Sequence, residues 1–258
     1  MKKLKEQIRN SAFARSFSLD KKFWLAFLFD VLFILSLFLI IILFSLALNA
    51  IAQSFSGFDR LLPDIANYLQ NENINPGMTS KANEAQGLIV GFMIKMVVLL
   101  ALSFFAYVAS LSFFEGKSWS YATGRFDFKK LLLINLIWNL IWMLLLIITI
   151  MLIKAEMLAY FIIILLIIYF YFSYFLYSIN EKGLWRTIGE AFATGITKLY
   201  LLIIPFAIII LMILLCISIF YFISFRILII YNSLTMIFLL FIFTWSKFYI
   251  NKVIAGIK

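Results

Sequence analysis

Apolar residues gather into six long runs, near 23–48, 88–114, 131–153, 157–179, 199–225 and 227–246, parted by short polar or charged stretches. A hydrocarbon layer of about 30 Å takes about 20 helical residues to cross. No water reaches backbone amides there, so a spanning run must satisfy its own N–H and C=O groups, as a helix does. The pattern predicts an all-α fold, a polytopic integral membrane bundle of six transmembrane helices. The first run, from Phe23, exceeds the roughly 7–15 apolar residues of a signal-peptide core. Although Ala50-Ile51-Ala52 imitates a cleavage site, this run reads as a retained span.

A second pattern lies between the runs. Ser11–Phe17 precedes Lys21 and Lys22, Trp119–Phe128 precedes Lys129 and Lys130, and Leu184–Phe192 precedes Lys198. Each stretch is amphipathic and leads into a hairpin of spans. In the third, Leu184, Ile188, Phe192 and Ile196 recur at four-residue steps on one helical face, while Arg186 and Glu190 share another. Short interfacial amphipathic helices are expected, in a layout of three repeated units of interfacial helix plus hairpin. Duplication and shared membrane constraints account for that layout equally well. The expected organisation is a basic amphipathic segment at 1–22, a six-helix transmembrane domain at 23–258, and an outer loop at 49–87. In that loop Phe55, Phe58, Leu61, Leu62, Ile65 and Leu69 suggest another amphipathic helix, either a lid or a plain connector, before the turn-rich Asn73–Gly77.

The stretch Trp185–Gly195 ahead of a Leu/Ile-rich span, with the short piece Glu190-Ala191-Phe192, resembles the six-helix membrane domains found beside glycerophosphodiester phosphodiesterases and in related prokaryotic membrane proteins. The likeness rests on layout over most of the chain. In that family the catalytic residues sit in a separate soluble domain with no counterpart in these 258 residues. The resemblance therefore implies a membrane module without inherited catalysis.

Charge supplies orientation. Of 22 Lys and Arg, seven lie in residues 1–22, four in 115–130, three in 180–198, and Lys247, Lys252 and Lys258 in the tail. The alternate segments are poorer: 49–87 holds Arg60 and Lys81 against Asp59, Asp64, Glu72 and Glu84, while Lys154 and Arg226 stand alone. The positive-inside rule places both termini in the cytoplasm of a cell-membrane protein. The net charge of +10 is thus topological, and no nucleic-acid partner is expected. Only 13% of residues are charged and the mean hydropathy is +1.08, against about 25% charged in soluble domains. The expected partners are membrane lipids and either further copies of the chain or other membrane subunits.

Histidine is absent and Cys216 is the single cysteine, so no metal site or cofactor is expected. No phosphate-binding loop, nucleotide fingerprint or metal-binding helix pair occurs, and Asp20, Glu115 and Asp127 form no spaced motif. The chain is expected to be noncatalytic. Two ionisable groups, Asp30 and Lys95, lie inside runs, where charge is costly and seeks a partner. Counting at 1.5 Å per residue, Asp30 shares its depth with Asn135 and Asn139, four apart on one face, and with Tyr107, Tyr171 and Tyr174. Pro205 releases the carbonyl of Leu201 in the same layer. This predicts a polar cluster in the inner half and a second, outer group around Lys95 and Asn232, with a direct Asp30–Lys95 pair as a further option. The expected function is a noncatalytic membrane module or scaffold; the alternative is a small transporter or lipid-handling protein using an inner-half polar cavity around Asp30.

Overall fold

The computed structural model describes residues 13, 16, 19–55, 57, 76–179, 183–223 and 228–257, with backbone alone at 76–79, 201, 221–223, 228–232 and 256–257. Among them every regular element is helical: α1 (Lys21–Phe55), α2 (Pro76–Ser110), a π-helical turn (Leu111–Glu115), α3 (Gly116–Thr123), α4 (Phe128–Leu152), α5 (Ala155–Ser178), α6 (Leu184–Thr197), α7 (Leu199–Ile223) and α8 (Leu228–Ile257). Six helices are long and apolar enough to cross a membrane, and the protein is a polytopic membrane protein.

Local chemistry sets the boundaries. Asp20 Oδ1 accepts from the Phe23 amide at 3.0 Å, and Asp127 Oδ1 accepts from the Lys130 amide at 3.1 Å, each satisfying a free donor at a helix start. Gly124, at φ +81°, closes α3 in the left-handed conformation, with its amide bonded to the Ser120 carbonyl. Pro205 lies within α7, which continues through it, leaving the Leu201 carbonyl without its usual donor.

The chain forms two compact units, Met1–Ile34 with Val108–Lys258, and Leu35–Tyr107. In the larger unit, Phe23, Trp119, Leu131, Ile134, Trp138, Phe175, Leu202, Trp245 and Ile250 form a continuous aromatic and aliphatic core. Elsewhere the large apolar side chains point outward, as Leu144, Ile148, Ile164, Ile204 and Leu211 do. In water such a surface would be untenable; here lipid is the solvent, and burial between helices brings little hydrophobic gain. In the smaller unit, the Phe55 and Phe92 rings meet at 4.8 Å, and Lys95 Nζ donates to Ser54 Oγ at 3.2 Å.

Several boundaries and one helix face differ from the sequence reading: α1 runs on to Phe55 and α2 starts at Pro76, so both enter the stretch expected as the outer loop 49–87. The second span does not stop near 114; it passes through the π turn into α3, so the expected interfacial stretch at 119–128 begins as a continuation of that span. The last span does not stop at 246, and α8 runs on to Ile257. In α6, Leu184, Ile188 and Phe192 of the expected stripe pack on the core, with Thr187, Ala191 and Gly195 buried beside them, whereas Ile196 is 66% exposed. Arg186 and Glu190 pair at 3.2 Å on the outward face. Within 1–22 only Phe13, Ser16, Leu19 and later residues are described; of the loop helix expected from Phe55 to Leu69, Phe55 is the last residue of α1, and Phe58 to Leu69 lie outside the described residues.

Gly195 lets α6 lie close on α5. A Cβ there would meet Phe172 Cε1 at 2.6 Å and Tyr171 Cε1 at 3.4 Å, while one at Gly189 would meet nothing within 4 Å. The Phe172 ring is itself held against Phe192 at 4.8 Å. Gly195→Ala is expected to lower stability by about 1–3 kcal/mol through overpacking. Gly189→Ala should raise it by up to about 1 kcal/mol through helix propensity. Thermal unfolding of the two variants in one detergent checks the opposite signs.

Candidate functional site: a buried charge trio

The densest polar chemistry lies in the larger unit, where α1, the π turn, α3 and α8 meet. Lys247 is 3% exposed, and its ammonium has three protons to place. Nζ lies 2.6 Å from Asp30 Oδ1, 2.8 Å from Glu115 Oε1 and 3.0 Å from Ser118 Oγ. Thr244, one turn earlier on α8, places Oγ1 2.5 Å from Asp30 Oδ2 and 3.0 Å from the Leu240 carbonyl. Its single hydrogen goes to the carboxylate, the shorter and charge-assisted bond. Trp119 Nε1 donates to Glu115 Oε1 at 3.1 Å.

The π turn takes part in this geometry. The Gly116 amide reaches back five residues to the Leu111 carbonyl. A π turn carries an extra residue and rotates whatever follows it about the helix axis. Glu115 ends that turn and Ser118 lies three residues further on, so both are aimed by it.

A second network centres on α4. Asn135 Nδ2 donates to Ser112 Oγ at 3.0 Å, and Asn135 Oδ1 accepts from Tyr177 OH at 3.0 Å. Asn139 Nδ2 donates to the Asn135 carbonyl at 2.8 Å, and Asn139 Oδ1 accepts from Tyr169 OH at 3.2 Å. Trp138 Nε1 donates to Ser173 Oγ at 2.9 Å. Trp119 joins the two networks: its ring stacks on Tyr177 at 5.5 Å with planes 7° apart, meets Tyr174 edge-on at 5.2 Å, and its N–H belongs to Glu115. Tyr174 hydrogen-bonds Ser246.

The expected inner cluster is therefore divided. Asn135 and Asn139 share one network and Asp30 belongs to the other. Tyr174 packs between α3 and α8. Tyr171 OH donates to the Gly195 carbonyl at 2.7 Å and so fastens α6 rather than joining the asparagines. Tyr107 is half-buried in the 35–107 unit. The cation that meets Asp30 is Lys247, not Lys95, whose ammonium reaches Ser54 within its own unit. The Asn232 side chain lies outside the described residues.

Sequence reasoning placed Lys247 in the tail and Glu115 in a loop. A usable signal was present: Ile242, Trp245, Tyr249, Ile250 and Ile254 keep helical spacing across Lys247, and all are buried. Among the described residues, no group of three or more His, Cys, Asp or Glu could hold a metal ion. Fold and site together define a polytopic helical membrane protein with a buried charge trio. Compared with known proteins, the chain matches no family model, no curated protein and no solved structure.

Formal charges in the trio sum to −1 when both carboxylates are ionised. Removing the cation leaves two carboxylates facing each other without compensation, whereas Asp30→Asn leaves a neutral Lys247–Glu115 pair. Lys247→Met is expected to cost about 3–5 kcal/mol and Asp30→Asn clearly less. Removing all three charges together (Lys247→Met, Asp30→Asn, Glu115→Gln) should recover most of the Lys247→Met loss. Melting temperatures in one detergent, with a double-mutant cycle between positions 30 and 247, check the ranking.

Proposed function

We propose that the protein is a noncatalytic membrane module, a scaffold set in the cell membrane with both ends in the cytoplasm. The observation that carries this reading is the closure of the charge trio. All three protons of Lys247 meet acceptors, and both Asp30 oxygens have partners. Groups committed to one another in this way hold helices in place; a transport site must keep valences for its cargo. The layout likeness to the membrane domains beside glycerophosphodiester phosphodiesterases is in keeping with a module that works alongside other proteins. The basic residues at 1–22, 115–130 and 180–198 support the orientation.

A second reading, a small transporter or lipid-handling protein, draws on one feature. The Glu115 side chain is 18% exposed and ends a π turn, a distortion found frequently at functional sites. Accessibility of the trio separates the two. Ser118→Cys in a Cys216→Ala background puts a thiol in contact with Lys247 without removing a charge. A small charged thiol reagent applied from each side of sealed vesicles should leave it unmodified while the protein stays folded. Rapid modification from the side of the chain ends would overturn the scaffold reading and favour transport.

A further inference from the structure

Lys247 meets two carboxyl groups, Asp30 from α1 and Glu115 from the π turn, at 2.6 and 2.8 Å from one nitrogen. One ammonium compensates one of them. Two carboxylates that share a site ionise together only at a cost, and a proton on either removes it. The ammonium is not the group that gives way: Nζ donates to Asp30, Glu115 and Ser118, and a neutral amine lacks the third hydrogen. The bonding of the carboxyl groups selects between them. Asp30 accepts through both oxygens, Oδ1 from Lys247 and Oδ2 from Thr244. A proton on Oδ2 would turn Thr244 from donor to acceptor and exchange a charge-assisted bond for a neutral one. At Glu115 the Lys247 ammonium and the Trp119 N–H both fall on Oε1, so a proton on Oε2 leaves both bonds in place. The Glu115 side chain is also the more accessible, 18% exposed against 5% for Asp30.

We propose that Glu115 is a proton-binding site, holding one proton on Oε2 in the folded protein at neutral pH. Among the described residues, the titratable groups that face it are Asp30 of α1, Lys247 of α8 and Tyr174 of α5, whose hydroxyl bonds Ser246. From α4 the π turn meets Asn135, which does not titrate. Lys117, two residues along from Glu115, lies over the Phe126 ring at 4.9 Å. Release of the proton sets a second, uncompensated negative charge where α1, the π turn and α8 meet, and weakens the hold on α8. In the unfolded chain a glutamate gives up its proton near about pH 4.3. The folded protein therefore binds more protons than the unfolded one around neutrality, and its stability falls as pH rises. Because every bond of the trio survives protonation, this inference does not depend on the scaffold reading.

The test is infrared spectroscopy of the full chain in a neutral detergent at neutral pH, where a protonated carboxyl shows a C=O band apart from those of carboxylates. The wild type should show one such band, moved to lower frequency when glutamate side-chain carboxyls carry carbon-13, and lost as pH is raised. Glu115→Gln should remove it. Asp30→Asn should also remove it although Glu115 is still present, since a neutral Lys247–Glu115 pair has no charge for a proton to cancel. Glu156→Gln, at an exposed position, should leave it unchanged, and each variant's melting curve confirms that it is folded. From about pH 6 to about pH 9 the wild-type melting temperature should fall. The Glu115→Gln profile should be flatter, because the amide oxygen still accepts from Lys247 and Trp119 and the amide carries no titrating proton. The labelled wild type and Asp30→Asn test the proposal even if Glu115→Gln does not fold. Absence of the band at neutral pH, a band that carbon-13 glutamate does not move, or one that survives in folded Glu115→Gln overturns the proposal.

Discussion

A lysine ammonium withdrawn from water must place three protons on acceptors that the protein brings to it, and this requirement at Lys247 organises the larger unit. Asp30 comes from α1, Glu115 from the π turn and Ser118 from α3, while Lys247 itself fixes α8. The desolvation of these charges is offset only when the geometry is good and the remaining lone pairs are used, which explains Thr244 on Asp30 and Trp119 on Glu115. Moving any one of the four elements by a few ångströms would break more than one bond at once.

Lipid tails are as apolar as leucine, so apolar contact alone does not tell these helices where to stop or which face to present. Close approach through small residues is scarce here, Gly195 on α6 being an exception. The work falls to large aromatics that carry a polar end. Trp119 shows how: one face on Tyr177, an edge toward Tyr174, and its N–H on Glu115. Trp245 repeats the device near the chain's beginning, donating to Ser16 Oγ at 2.9 Å while its ring stacks on Tyr249 at 5.1 Å. Each such residue ties an apolar packing choice to a directional bond, so rotation of a helix costs both.

The six spans were legible because hydrocarbon thickness imposes a length that composition reveals, and the amphipathy of α6 was legible from its four-residue steps. The pairing of Asn135 with Asn139 on one face followed from the same geometry. What the sequence hid was the reach of the helices. Lys247 and Glu115 resemble anchors at the ends of apolar runs, and the depth of Asp30 was therefore matched only to residues within those runs. The π turn has no signature in Leu111-Ser112-Phe113-Phe114-Glu115. The partners of the asparagines were obscured by an aromatic stretch in which Tyr169, Tyr171, Tyr174 and Tyr177 look alike. Four-residue spacing picks out Tyr169, Ser173 and Tyr177 as one stripe, and these are the residues that serve α4.

A charge trio is a poor way to maximise stability, since well-packed apolar residues of the same volume often do as well or better. Its use in α8 is better understood as register. That helix is apolar over most of its 30 residues, and a uniform apolar cylinder in lipid can slide or turn at little cost. One ammonium with three fixed acceptors has a single satisfactory depth and rotation. Fixing α8 there also fixes Asn251 and Ile254, one and two turns beyond Lys247, as part of the wall of a cavity of about 300 Å³ that Trp119 and Tyr177 also line. The trio and the cavity thus share a support: the bonds that make the charges tolerable also determine the shape of the space beside them.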